Sequence, residues 1–497
     1  MKPSWCRAAL GAALALACLS ARGETEPRPA VTVVPAAGRS GLRVEGIRGS
    51  VSIRGGEADE LSYTCVLSRN RKRSVPLSLS EDRGWFVVGP GRPRGAAKRR
   101  VEIVVPRGFH LEIRAADSRV SVIGLGGDVV LRGAGTEAAV HDIGGSVDVE
   151  IEGGRTRIGT IAGDLDVRSV DAVIGVRDLK GSLFSDLRGG SAVIEEVGGA
   201  AEVDVDRSIL EGRGFAEALR LRARATRVTL DRLERGGHLD VDGGSMEVTG
   251  SAGDLTITTN AAVTLRDNHA AIHVDGYGAP VSVIRNDGLT EIKTDGVPVS
   301  LEAITGPVRV QGDDLDLRLD DIRGELMVFA SESRIEASEA GGSVTIENER
   351  GDVSIANARD EVTVRNLDGD VNLTGMAGSV WVEADGSQVV VEWVSLNHAE
   401  DSFVGNESGD VSIVFPVRGG CSFEGTTRFG RIESDLAGVE LSNDDRSGSG
   451  GVNGGEGPAI RVESDGDILL RMAERSEVPQ RKGPLRRSES RRDPARQ

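Results

Sequence analysis

Aromatic side chains are scarce in this chain: of 497 residues only 4 are Trp, 2 Tyr and 9 Phe, together 3%. One of the Trp residues, Trp5, falls in the N-terminal leader, so the flat platforms that usually hold sugar rings are few. Excess positive charge is also missing. The formal net charge is −18, and a phosphate backbone would be repelled over most of the surface, which argues against a nucleic-acid partner. No apolar stretch after the leader is long enough to span a bilayer, so no transmembrane segment is expected. The chain has no Gly-x-Ser-x-Gly elbow, Walker loop or Cys-x-x-Cys pair. Its six His are scattered; the closest two, His269 and His273, lie in strand-like sequence where i and i+4 are some 13 Å apart and cannot share a metal without a turn between them.

What the chain does have is glycine, 67 residues of it, and aliphatic residues on a fixed count. Gly127-Asp128-Val129, Gly145-Ser146-Val147, Gly163-Asp164-Leu165, Gly181-Ser182-Leu183 and Gly199-Ala200-Ala201 begin 18 residues apart, and an aliphatic residue precedes each glycine by two (Leu125, Ile143, Ile161, Leu179, Val197). The phase continues through Glu217, Gly237, Gly253 and Ala271, slips at Gly288, and holds from Gly306 to Gly378. That makes roughly fourteen repeats with one net deletion. A second strand-like phrase sits nine residues out of phase, as in Arg119-Val120-Ser121-Val122 and Thr226-Arg227-Val228-Thr229-Leu230. Apolar residues alternate in both, so each strand has one buried and one wet face. An 18-residue unit cannot bury its apolar face alone. The units must stack, and the fold expected is all-β: a parallel β-solenoid (β-helix) with two short strands per turn, right-handed by the general crossover preference, with β-rich caps at both ends.

The boundaries follow from where the count holds. Residues 1–23 read as a signal peptide, with a basic start (Lys2, Arg7) and an apolar run from Ala8 to Leu19. Cleavage after Ala21-Arg22-Gly23 competes with an imperfect lipobox, Leu14-Ala15-Leu16-Ala17-Cys18, which would place a lipid on Cys18. Either route exports the chain to the periplasm, the cell surface or the medium. Residues 24–100 break the count and are expected to form a β cap carrying a basic loop (Arg69, Arg71, Lys72, Arg73) read as solvated. The solenoid is expected over 101–416 and C-terminal rungs over 417–470, with a mobile Ser/Gly-rich insertion at 442–457. From 471 to 497 the sequence is Arg-rich, aperiodic and expected to be disordered. Cys65 and Cys421 stand at opposite ends of the repeat, roughly 65 Å apart at ~4.8 Å per rung, and read as buried single thiols rather than a disulfide.

The Gly-Asp-Val-x-Val and Gly-Ser-Val-x-Val phrases, the entry Val101 to Pro106 with Leu111-Glu112-Ile113, and a closing set resemble the bacterial putative adhesin family, an exported β-helical domain of unknown function. The closing set comprises Gly409 to Pro416, Thr426 to Ile432 and Ile460 to Ile468. The resemblance spans roughly residues 30 to 470 and implies an adhesin-like module with no family catalytic residues.

No catalytic, cofactor-binding or metal site is expected from the residues themselves. Asp313, Asp314, Asp316, Asp320 and Asp321 with Arg318 superficially fit the carboxylate rows of polysaccharide-cleaving β-helices, but acids occur on every rung and a solvated face is favoured. Calcium-binding β-rolls need Gly-Gly-x-Gly-x-Asp, whose second half is missing at Gly126-Gly127-Asp128, so structural calcium is a minor alternative. Aligning rungs on Gly199, Glu217 and Gly237 predicts a structural charge ladder: Glu202 beside Arg220 and then Asp240, and Asp204 beside Arg222 and then Asp242. The expected function is that of a non-catalytic adhesin-like or structural envelope module binding a surface partner, protein or glycan. The alternative is a polysaccharide-processing or polysaccharide-binding β-helix protein.

Overall fold

The structure, a computed structural model, describes residues 31–473 apart from 68–69, 75–76, 92–97, 387 and 399, and leaves out the side chains of 70–74. The leader with Cys18, Arg69 and residues 474–497 lie outside the described residues. Every strand among them joins one 42-stranded sheet, and no helix occurs among them. The sheet winds into a parallel solenoid of about 17 turns spaced ~18 residues apart. Within a turn the chain makes one strand on a first face (A), bends, and makes a second on the opposite face (B). In the regular centre a single 15-residue strand such as Val147–Ile161 runs through both. Register is held by alternation: Val129, Val147, Leu165, Leu183, Ala201 and Leu219 stack at successive turns, all nearly inaccessible, and a one-residue slip would turn each of them outward.

Two columns of left-handed residues make the bends. One passes through Asp117, Gly135, Gly153, Asp171 and Gly189 between the faces; the other passes through Asp142, Thr160, Asp178 and Glu196 at the end of the B strand. Gly and Asp suit the first because they tolerate positive φ at least cost. The phrase glycines do something different. None of Gly145, Gly163, Gly181 and Gly199 has positive φ; each sits where successive corners touch backbone to backbone, and a Cβ on Gly181 would lie 2.3 Å from the Gly163 carbonyl oxygen. The single deletion also has a place. Gly237 pairs with Leu255 at a step of 18, whereas Ser245 pairs with Ala262 at 17, so the lost residue is at the corner before Ala262.

Later turns line the corner after the A strand with asparagine. Asn348 and Asn366 are buried; Asn348 Nδ2 donates to Asn366 Oδ1 at 3.1 Å, and Asn366 Nδ2 donates to the carbonyls of Gly351 (3.1 Å) and Gly369 (2.8 Å). This amide stack satisfies carbonyls that the turn removes from the ladder.

Both ends depart from sequential order. The turn made by Gly41–Glu45 and Gly49–Gly56 lies between the turn of Trp85–Gly89 with Arg99–Pro106 and the turn of His110–Ala116 with Arg119–Leu125. Residues 41–56 are thus a solenoid turn inside the stretch expected to be cap, because their apolar residues Leu42, Val44, Val51 and Ile53 are in the same alternating phase as the core. Antiparallel strands Glu60–Leu67 and Ser78–Asp82 cover the open edge, and the expected basic loop is in part the strand Asn70–Ser74. The C-terminal end repeats the device. Ala459–Ser464 and Ile468–Met472 insert between the turn of Ser402–Asn406 with Val411–Phe415 and that of Cys421–Thr427 with Ile432–Ser434. The Ser/Gly-rich stretch expected to be a mobile insertion contains the strand Ser447–Val452, antiparallel to Cys421–Thr427 and to Val439–Leu441. Its glycines permit close pairing: a Cβ on Gly450 would meet the Gly438 carbonyl oxygen at 1.9 Å. An antiparallel lid therefore blunts each edge.

Cys65 and Cys421 are both free and buried. Burial raises the Cys65 thiol and pushes that of Cys421 up to about 11 from 9.0. The folded protein then keeps a proton that the unfolded chain releases, so stability that is intact below pH 9 should fall as pH rises from 9 towards 11. Denaturant titrations across that range should show a shallower fall for Cys421→Ala than for the wild type.

Candidate functional site

The predicted ladder is half corrected. Glu202 faces Arg220 and Asp204 faces Arg222, but on the next turn Arg220 faces His238, Arg222 faces Asp240 and Arg224 faces Asp242. The step remains 18. Gly237 is the first residue of its strand, opposite Leu219, and the corner position in phase is Arg235, so anchoring on the glycine displaced the third rung by two. Arg222 Nη1 lies 3.7 Å from Glu202 and 3.8 Å from Asp204, whereas Arg220 makes no salt bridge among the described residues. All three groups of the Arg222 cluster are well exposed, so it contributes at most about 1 kcal/mol. Arg222→Glu should lower the melting temperature more in low salt than in high salt, and Arg220→Glu should lower it less; equal shifts for the two would contradict the geometry.

The aspartates around Arg318 are divided by the fold. Asp316, Asp320 and Asp321 lie on the B-face strand Asp316–Ile322, where Arg318 is 3.8 Å from Asp316 and Asp321 pairs with Arg323 at 2.9 Å. Asp313 ends the preceding A-face strand. His269 and His273 do have a turn between them, yet each pairs with a carboxylate of the following turn: His269 Nδ1 is 2.8 Å from Asp287 and His273 Nδ1 is 3.2 Å from Glu291. His269, together with the Thr305 hydroxyl, holds the Asp287 carboxyl below its ordinary range. No group of three or more His, Cys, Asp or Glu able to hold a metal occurs among the described residues.

Two grooves run along the A face. The shallower, about 670 Å³, crosses the N-terminal turns and contains Asp148, Asp166, Phe184 and Arg220. Asp148 and Asp166 are register neighbours, and Asp166 Oδ1 has no hydrogen-bond partner among the described residues although Oδ2 accepts from Arg168 at 2.6 Å. Burial outweighs Arg168 there and, with the like charge of Asp148, raises the Asp166 carboxyl.

The larger groove, about 1340 Å³, follows the A-face edge and the adjoining corner from Asp275 to the closing turns. Its ten register positions give it a length of roughly 43 Å at ~4.8 Å per step. Ten carboxylates line it against three cationic side chains, and those three are already engaged: Arg365 with Glu383 at 2.8 Å, Lys293 with Glu291 at 3.6 Å and Arg428 with Asp465 at 4.0 Å. Glu347, Glu349 and Glu407 are exposed and make no salt bridge among the described residues. Apolar surface is interspersed. Phe329, Phe403 and the exposed Leu367 line the groove, and Trp381 packs against Phe403 with ring centroids 4.9 Å apart and ring planes tilted by 40°, while its Nε1 donates to Glu383. Sequence reading missed this aromatic pair because the step from Trp381 to Phe403 is 22, lengthened by the loop after Trp393.

A parallel solenoid with two strands per turn, closed by an antiparallel lid at each end and grooved along one face, is the class that this geometry defines. The sequence model of the Toastrack family DUF4097 matches residues 46–471, and the chain belongs to that family. A solved structure described as a putative cell adhesion protein from Clostridium sporogenes aligns over 90% of this chain and 100% of its own at 7% identity, but with a TM-score of 0.15 it carries no argument. No curated protein matches. Among the described residues no helix is long and apolar enough to cross a membrane.

Proposed function

We propose that the protein is an exported, non-catalytic β-solenoid that serves as an adhesin-like or structural module of the cell envelope and meets a surface partner along its A face. The observation that supports this is the long groove with its Trp381–Phe403 pair: large aromatics are rare in the chain, yet two pack together on the outer face beside carboxylates, where burying them against water would need a partner. A one-dimensional surface that extends over many turns suits a filamentous or peptide-like partner better than a small substrate. Arrayed glycans, matrix proteins and envelope fractions incubated with the purified protein should reveal binding without turnover. Trp381→Ala with Phe403→Ala should weaken that binding at least tenfold. Unchanged binding in the double variant would sink the assignment of this face.

The alternative, polysaccharide binding or processing, is favoured by one observation, the raised carboxyl of Asp166 opposite Asp148 in the groove with Phe184. Release of new reducing ends from an acidic glycan, abolished in Asp166→Asn, would establish it in place of the first reading.

A further inference from the structure

We propose that the large A-face groove is a site for an extended, arginine-rich polypeptide, and that residues 474–497 of this same chain occupy it. This goes beyond the envelope role: a surface partner that meets the same groove would have to displace this segment. Two observations carry it.

The first is charge. Residues 474–497 hold seven Arg and one Lys against four Asp and Glu, in a chain whose formal net charge is −18. The groove has the opposite balance, with its few cations already paired and Glu347, Glu349 and Glu407 making no salt bridge among the described residues. Guanidinium groups match this lining because each presents several N–H donors to carboxylates and can also stack on an aromatic face such as Trp381.

The second is reach. Ala473, whose N–H donates to the Phe415 carbonyl at 2.8 Å, follows directly on the strand Ile468–Met472, and the same turn supplies Glu463, Ser464 and Asp465 to the groove. Recrossing that strand takes about 17 Å at ~3.3 Å per residue, whereas the 24 residues of 474–497 can span up to about 80 Å when extended. What remains exceeds the groove's length of roughly 43 Å.

The test uses the full chain. Zero-length carbodiimide coupling should join Lys482 to groove carboxylates within one copy, as read by mass spectrometry of an equal mixture of light and heavy isotope-labelled protein. In low salt, trypsin should cut after Arg481, Lys482, Arg486 and Arg487 at least fivefold more slowly in the wild type than in a Glu347→Gln, Glu349→Gln, Glu407→Gln variant, and the difference should vanish at 0.5 M salt. A melting curve unchanged by these exposed substitutions keeps the comparison valid, and Arg486→Glu with Arg487→Glu should abolish the cross-link without touching the groove. Links only between light and heavy copies would assign the groove to a second molecule and overturn the intramolecular proposal. Equal cleavage rates, or Lys482 links spread over the B face, would overturn the site itself.

Discussion

Gly181→Val should destabilise the protein by about 3 kcal/mol or more, among the largest effects expected of any surface substitution in it. The ideal Cβ position at Gly181 is 2.3 Å from the carbonyl oxygen and 2.5 Å from the carbonyl carbon of Gly163, and these are backbone atoms held in a parallel ladder on both sides. Neither corner can retreat without lengthening the ladder bonds of its turn, so the strain of overpacking is not relieved by a rotamer change. Gly108→Ala is the control. That glycine has no atom within 4 Å of its Cβ position and no positive φ, and the substitution should be close to neutral. Denaturant titration of both variants decides; a Gly181→Val protein as stable as Gly108→Ala would mean that the corners are looser than the geometry requires.

Asn366→Ala should cost a comparable amount, about 3 kcal/mol, from a different cause. The side chain is fully buried, and its loss strips the Gly369 carbonyl of its side-chain donor, while the Gly351 carbonyl and Asn348 Nδ2 keep their mutual hydrogen bond at 3.1 Å. Buried groups left unpaired cost about 1–3 kcal/mol each, in addition to the small cavity. Because each turn contacts only its neighbours, the damage should be local. Hydrogen exchange should quicken in Val344–Asn348, Val362–Asn366 and Val380–Ala384 while Val147–Ile161 stays protected. Uniform acceleration along the whole chain would show instead that the solenoid opens as one unit.

The solenoid was legible because one physical requirement, an aliphatic residue inward at every second position, repeats at the period of the turn. Val147, Leu165 and Leu183 announce that with no help from the rest of the chain. What was illegible was any feature in which glycine has two meanings. Gly163 and Gly181 stand where backbones touch, whereas Gly237 is the first residue of a strand, and treating the three alike displaced the charge ladder. The turn made by residues 41–56 was hidden for another reason: its neighbours in space are 85–106 and 110–125, and no sequence period encodes an order that doubles back. The groove was half legible. Asp295, Asp313, Glu349 and Asp385 keep the 18-residue spacing or its multiples, but single-chain reading gives such a column no depth, and Trp381 meets Phe403 only across a longer step.

The doubled-back ends have a mechanical consequence. Tension applied at the N-terminal side would first peel off Thr32–Pro35, which is bonded to one neighbour, and would then reach Gly41–Glu45 and Gly49–Gly56, which have ladders on both flanks. Tension at the C-terminal side meets Ala459–Ser464 and Ile468–Met472, flanked on both sides from the outset. An ordinary stack would unzip one ladder at a time from its last rung. Here the load enters at turns that must tear two ladders at once, so the chain is stitched shut at the points where it would be pulled.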